Sequence, residues 1–240
     1  MEDRETRAYV AEFLGTFLLV LFIGFVVSLT TKEGLGFADF AVIGLVHFFV
    51  LAMLIATLGS TSGAHFNPAV TVTLAALKKI KPADAVIYIL LQVAGAIAAA
   101  LVVKLLLNDV GKDAAYGGVQ ISEKLIEGKV LSAFLIELIG TFVLMWAILG
   151  TAVTRRTELA PLFIGGTLAL AVMALAPMTG AGFNPARAFG PDLVGAILDD
   201  VGIGKFLLAY VAGPIVGALL AGFGHQYLVG EGARPIDTLE

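Results

Sequence analysis

The chain has 240 residues, 59% of them apolar and only 14% charged, with a mean hydropathy of +0.97. An ordinary soluble domain carries about 25% charged residues, so a soluble globular fold is excluded. Fifteen Lys and Arg against nineteen Asp and Glu leave a net charge of −4 with no basic face, which removes nucleic acid as a partner, and the absence of Cys removes disulfides, thiol nucleophiles and thiolate metal sites.

Apolar stretches run at about Tyr9 to Leu29, Phe40 to Leu58, Ala83 to Leu107, Val130 to Val153, Pro161 to Met178 and Ile203 to Val229. A hydrocarbon core of about 30 Å is crossed by about 20 helical residues, so all six predict spanning helices. The first is too long for a cleaved signal peptide, contains Glu12 and follows an acidic as well as basic leader, so it is read as a retained span. Two shorter apolar pieces, Asn67 to Leu77 and Asn184 to Leu198, each open on Asn-Pro-Ala after a Gly-rich approach. Eleven helical residues reach only about 16 Å, which predicts half-helices that enter the membrane and turn back. Non-helical backbone at that depth must line water or be buried in protein, so the pattern implies a cavity. The expected fold is therefore all-α and membrane-embedded, with six transmembrane helices and two re-entrant half-helices in one domain over residues 1–240.

The order of landmarks repeats. Glu12-Phe13-Leu14-Gly15-Thr16-Phe17 returns as Glu137-Leu138-Ile139-Gly140-Thr141-Phe142 at an offset of 125, and Phe66-Asn67-Pro68-Ala69 returns as Phe183-Asn184-Pro185-Ala186 at 117. Each half, about 8–107 and 130–229, is span, span, half-helix, span, joined by the polar loop 108–129. Three full crossings per half turn the second half upside down, so the repeats are expected to be inverted. With the N-terminus inside, the inner segments carry Arg4, Arg7, Lys78, Lys79, Lys81, Arg155, Arg156 and Arg234, and the outer ones Lys32, Lys104, Lys112, Lys124, Lys129 and Lys205. Lys78 to Lys81 and Arg155-Arg156 adjoin span ends, where cytoplasmic charge bias counts most, so both termini are expected in the cytoplasm.

Asn before Pro is a good helix start, because the Asn oxygen accepts from first-turn amides and Pro at the first position gives up an N–H that had no partner. One such motif reads simply as a capped helix. Two, related by an inverted repeat, are expected to meet N-terminus to N-terminus near the midplane, with Asn67 and Asn184 donating amide N–H groups into a lumen. The two helix ends each carry roughly half a positive charge, which suits neutral hydrogen-bonding molecules and opposes protons and cations.

These residues resemble the major intrinsic protein family, the aquaporins and glycerol facilitators. The resemblance covers nearly the whole chain, from Ala11-Glu12-Phe13-Leu14-Gly15-Thr16 through Ser62-Gly63-Ala64-His65-Phe66-Asn67-Pro68-Ala69-Val70 and Phe183-Asn184-Pro185-Ala186-Arg187 to Gly213-Pro214. It implies a pore within each subunit, four subunits together, and pore motifs at Asn67, Pro68, Ala69, Asn184, Pro185 and Ala186. It makes Arg187 the selectivity-filter arginine; exposed to lipid, that side chain would cost about 2.5 to 3.5 kcal/mol, which also argues for a wet wall. Ungapped counting places the other filter positions at His47, Val172 and Ala181.

That quartet departs from two common family patterns. Strict water channels resembling this chain tend to carry an aromatic at the His47 position and a His at the Val172 position, whereas Val172 and the small Ala181 predict a wider opening. Glycerol facilitators tend to place Trp and Phe in the filter and Asp after the arginine, where this chain has Ala188. Asp192 also departs, standing where water channels commonly have a small residue and facilitators a basic one. The quartet is most similar to that of plant vacuolar aquaporins associated with water plus ammonia or urea. Read without the resemblance, His47 is more readily a core histidine bonded to a neighbouring helix. His65 either lines the cytoplasmic approach or holds the re-entrant loop. Glu12 and Glu137 are implied to accept from backbone amides of the two loops, which supplies partners at depth.

The expected function is a passive water channel that excludes protons and ions, with facilitation of urea, ammonia, hydrogen peroxide or glycerol as the alternative. Water and small neutral solutes, membrane lipid and three further copies of the chain are the expected partners, and no cofactor or metal is expected. An enzyme would need a nucleophile, a metal set or paired carboxylates, and His47, His65 and His225 are scattered, so no enzymatic activity is expected. The plasma membrane is the expected location.

Overall fold

The computed structural model describes residues 5–199 and 206–230. Among these residues six helices are long and apolar enough to cross a membrane. They are α1 (Thr6–Glu33), α2 (Asp39–Ser62), α4 (Pro82–Leu107), α7 (Val130–Ile148) with its continuation to Thr154, α8 (Ala160–Thr179) and α10 (Gly213–Val229) with the turns that precede it from Leu207. Between them lie the half-helices α3 (Pro68–Ala76) and α9 (Pro185–Asp199) and two single turns, α5 (Asp109–Lys112) and α6 (Glu123–Ile126). Arg4, Lys205, Arg234 and the first residues of the sixth apolar stretch lie outside the described residues.

Helix boundaries exceed the apolar stretches at several ends. α1 runs over 28 residues, about 42 Å, so its polar last turn, Thr30 to Glu33, stands beyond a hydrocarbon core of about 30 Å. Two wide-turn segments continue spans, Leu149–Thr154 after α7 and Leu207–Ala212 before α10. Sequence periodicity is blind to both, because a π-turn adds a residue without changing composition. The linking loop is likewise more ordered than its polarity implies, since Ser122 caps α6 by accepting from Leu125 N–H at 3.1 Å.

The helices bury their small and polar residues and expose their large apolar ones. In α1 the buried stripe is Ala8, Ala11, Glu12, Gly15, Thr16, Leu19, Val20, Ile23, Gly24 and Ser28, a spacing of three and four that keeps one face inward. Val10, Leu14, Phe22 and Leu29 on other faces are exposed. Such a pattern fits a lipid solvent, in which association comes from close packing of small residues rather than from removal of apolar surface from water.

Packing is matched between the halves. α1 lies along α4 as α7 lies along α10, α1 meets α2 as α7 meets α8, and the half-helices cross over, α9 onto α4 and α3 onto α10. α2 against α8 closes the bundle. The closest fit is where the repeated glycines meet the repeated phenylalanines: Gly15 lies under Phe66 and Gly140 under Phe183, each so tightly that a Cβ would fall within the ring. Both phenyl groups are completely buried.

Replacing Gly140 by Ala is therefore expected to displace Phe183 and the loop that carries it, at about 1–3 kcal/mol for an overpacked site. A lowered midpoint in thermal denaturation of the detergent-solubilised protein is the expected outcome, and Gly15→Ala should act alike through Phe66.

Candidate functional site

The two half-helices are reached through loops of nearly identical backbone. Gly63, Ala64 and Phe66 have φ of +92°, +51° and +47°, and Gly180, Ala181 and Phe183 have +76°, +51° and +47°. Left-handed Ala and Phe are sparsely populated conformations, of order 1–3 kcal/mol each, and persist only where surroundings over-determine them. Here the surroundings are carboxylates. Glu12, fully buried, accepts from His65 N–H (2.9 Å), Phe66 N–H (2.8 Å), the Ser62 hydroxyl (2.7 Å) and Gln92 Nε2 (2.8 Å). Glu137, equally buried, accepts from Gly182 N–H (2.9 Å), Phe183 N–H (2.6 Å) and the Thr179 hydroxyl (2.7 Å). The loops' carbonyl ends are held too, with Tyr88 donating to Ser62 O and Tyr210 to Thr179 O, both at 2.8 Å.

Each half-helix opens on a capping Asn. Asn67 Oδ1 accepts from Ala69 N–H at 2.9 Å, and Asn184 Oδ1 accepts from Ala186 and Arg187 N–H at 3.0 and 3.2 Å. The amide nitrogens reach across the join: Asn67 Nδ2 donates to Phe183 O at 2.9 Å and Asn184 Nδ2 to Phe66 O at 2.8 Å. An amide nitrogen carries two hydrogens. One of each pair is thus spent on the opposite loop, a bond that spacing alone does not reveal, and the other is left for the cavity that both Asn side chains line.

That inner cavity has a volume of about 1160 Å³ and reaches from Lys79 and Arg156 at one mouth to His47 and Arg187. A second cavity of about 530 Å³ opens on the opposite side, lined by Ile43, Ala176, Gly180, Lys112 and Asp192 among others. Ile43 and Ala176 lie one turn from His47 and Val172, and Gly180 adjoins Ala181. The four residues therefore stand at the level between the two cavities. Val172 and Ala181 line neither, being buried in the apolar cluster that also holds Phe183.

Arg187 is 2% exposed. Its Nη1 donates to Gly117 O at 2.7 Å, while Nε and Nη2 have no partner among the described residues. His47 Nδ1 lies 2.8 Å from Ile43 O, and its Nε2 has no partner. A carbonyl partner requires hydrogen on Nδ1, so in the neutral ring Nε2 is an acceptor. The level between the cavities thus presents two unmet donors and one unmet acceptor on otherwise apolar walls, the complement of a small molecule that both donates and accepts. His65 lines the inner cavity, sets Nδ1 3.1 Å from the Thr71 hydroxyl and stands edge-on to Tyr88. Among the described residues no three His, Asp or Glu side chains gather as metal ligands would.

Several partners were not singled out from sequence. Ser62 and Thr179, both hydroxyls and 117 residues apart, carry the same repeat signal as the Asn pair and were open to that reading. Gln92 and the Gly117 carbonyl left no such trace, since each acts across the fold on a residue far away in sequence.

Comparison with known proteins agrees over the whole length. The family model described as major intrinsic protein matches residues 2–225. Aquaporin AqpM of Methanothermobacter thermautotrophicus is 36% identical, covering 94% of this chain and 98% of its own length. Glycerol uptake facilitator protein-like 6 of Lactiplantibacillus plantarum is also 36% identical, over 90% and 95%. The X-ray structure of the aquaglyceroporin from Plasmodium falciparum superposes with a TM-score of 0.77 at 22% identity, covering 93% of this chain and 96% of that one, a likeness of fold.

Replacement of Glu137 by Gln turns one acceptor into a donor facing Phe183 N–H. A buried donor left without a partner costs about 1–3 kcal/mol. Glu137→Gln is expected to lower the thermal midpoint accordingly, whereas Glu33→Gln, on the exposed last turn of α1, should leave it unchanged.

Proposed function

Because the chain belongs to the major intrinsic protein family, whose members are membrane channels, we propose that it is a passive water channel that excludes protons and ions. The observation that carries this reading is the meeting of two Asn-capped helix N-termini in one cavity. Asn67 and Asn184 each keep an amide hydrogen for a passing oxygen, and their anchoring by caps and crossed bonds fixes the direction in which it points. A water that turns its oxygen to these donors is oriented away from its neighbours in the file, and the positive helix ends oppose a cation at the same place. Arg187 adds a second positive barrier, and with His47 offers the donors and acceptor that replace those of bulk water.

The small side chains at two of the filter positions favour a second reading beside the first. Ala181 and Val172 are small for their positions, which supports passage of urea, ammonia, hydrogen peroxide or glycerol, and the relatives include both aquaporins and a glycerol uptake facilitator-like protein. The halves are read as an inverted repeat, 8–107 against 130–229, placed in the cell membrane with both termini in the cytoplasm. Lys79 and Arg156 at the mouth of the inner cavity support that orientation. Four copies are expected to assemble, each with its own pore.

Stopped-flow shrinkage of proteoliposomes tests the water reading: permeability well above that of empty liposomes is expected, and equality would overturn it. Uptake of each solute in the same vesicles assigns the wider range. Ala181→Phe is expected to slow urea and glycerol more than water, because a ring at that level narrows the opening without removing the donors of Arg187. Equal slowing would place Ala181 outside the narrowest part. With no Cys in the chain, mercurials that act through a pore thiol are expected to leave transport unchanged.

A further inference from the structure

Asp192 is buried to 7% exposure at the inner edge of the outer cavity, on the same half-helix as Arg187 and five residues beyond it. The repeat does not account for it. At the offset of 117 that relates the Asn-Pro-Ala motifs, Arg187 corresponds to Val70 and Asp192 to Ala75, so the pair of opposite charges belongs to the second half alone.

Both charges grip the same three residues of the linking loop. Arg187 Nη1 donates to Gly117 O at 2.7 Å, and Val119 N–H donates to Asp192 Oδ1 at 3.0 Å. The segment between is shaped to this contact. Gly117 has φ +97°, a Cβ on it would overlap the Gly24 backbone, and a Cβ on Gly118 would overlap Asp192 Oδ1. Asp192 itself lines the outer cavity. We infer that Asp192 is a positioning residue for selectivity: by holding Val119 it fixes the Gly117 carbonyl, which occupies Nη1 of Arg187 and leaves Nε and Nη2 facing the permeant.

Without the bond from Val119 the strap is held to α9 at one end only. The Gly117 carbonyl then gives way, the guanidinium is no longer kept against the wall, and the opening is less well defined for solutes larger than water. Charge alone does not do this, because the geometry depends on an acceptor oxygen at the Oδ1 position, which Asn also supplies.

This inference rests on the reading of Arg187 as the filter arginine, and the experiment separates the two. Water and urea permeabilities are measured in the same proteoliposomes for the wild type, Asp192→Ala, Asp192→Asn, Gly118→Ala and Arg187→Ala. The urea-to-water ratio is independent of how many channels are folded. Loss of one hydrogen bond converts to a change of about fivefold. The ratio is expected to rise by about that factor in Asp192→Ala and Gly118→Ala, in the same direction as in Arg187→Ala, and to stay near the wild-type value in Asp192→Asn. Should Asp192→Ala yield no folded protein, Gly118→Ala carries the same test. An unchanged ratio in both, with a raised ratio in Arg187→Ala, overturns the role of Asp192 and leaves the filter standing. An unchanged ratio in Arg187→Ala overturns the filter reading and this inference with it. An equal rise in Asp192→Asn and Asp192→Ala assigns the effect to charge at the outer mouth and overturns the strap.

Discussion

Backbone that leaves a helix halfway through a bilayer has no water to satisfy it, and the whole arrangement follows from how that deficit is met. Two buried glutamates meet it, Glu12 with four donors and Glu137 with three. A carboxylate is costly to bury unless its lone pairs are filled, and a strained loop is costly to hold unless its N–H groups are bound. Each offsets the other. The loops can then stay in left-handed geometry at Ala64, Phe66, Ala181 and Phe183, which swings the two Asn-capped ends toward one another.

Much of this was legible in the sequence because the repeat wrote it twice. Six spans, two half-helices and the Glu, Gly, Asn and Pro positions follow from hydropathy, length and offset, whereas Arg187 was singled out by the family resemblance, with the cost of a guanidinium in lipid as support. The illegible features depend on contacts between distant segments or on small changes of helical winding. The crossed bonds of Asn67 and Asn184, the hold of Gln92 on Glu12 and the grip of Arg187 on Gly117 leave no periodicity behind. The π-turns at Leu149–Thr154 and Leu207–Ala212 are invisible for the second reason.

The halves are alike where they build the fold and in the paired asparagines, and unlike at other positions that line the cavity. Phe66 and Phe183 sit on Gly15 and Gly140 in the same way, and Tyr88 and Tyr210 tie the same carbonyl in each loop. Beside the two asparagines the correspondence stops. His65 stands where the other half has Gly182, whose missing side chain is required by the closeness of Glu137 and Tyr210, and Val70 stands where the other half has Arg187. The buried charges Arg187 and Asp192 thereby belong to the second half, next to the level between the cavities.

The crossed asparagine bonds carry a consequence for biogenesis. Asn67 takes its acceptor from Phe183, 116 residues later in the chain, and a ribosome adding about 5–20 residues per second needs roughly 6 to 23 s to make that stretch. During this interval the first re-entrant loop has its capping bond and its glutamate but no opposite carbonyl, and the nascent protein cannot complete its lumen.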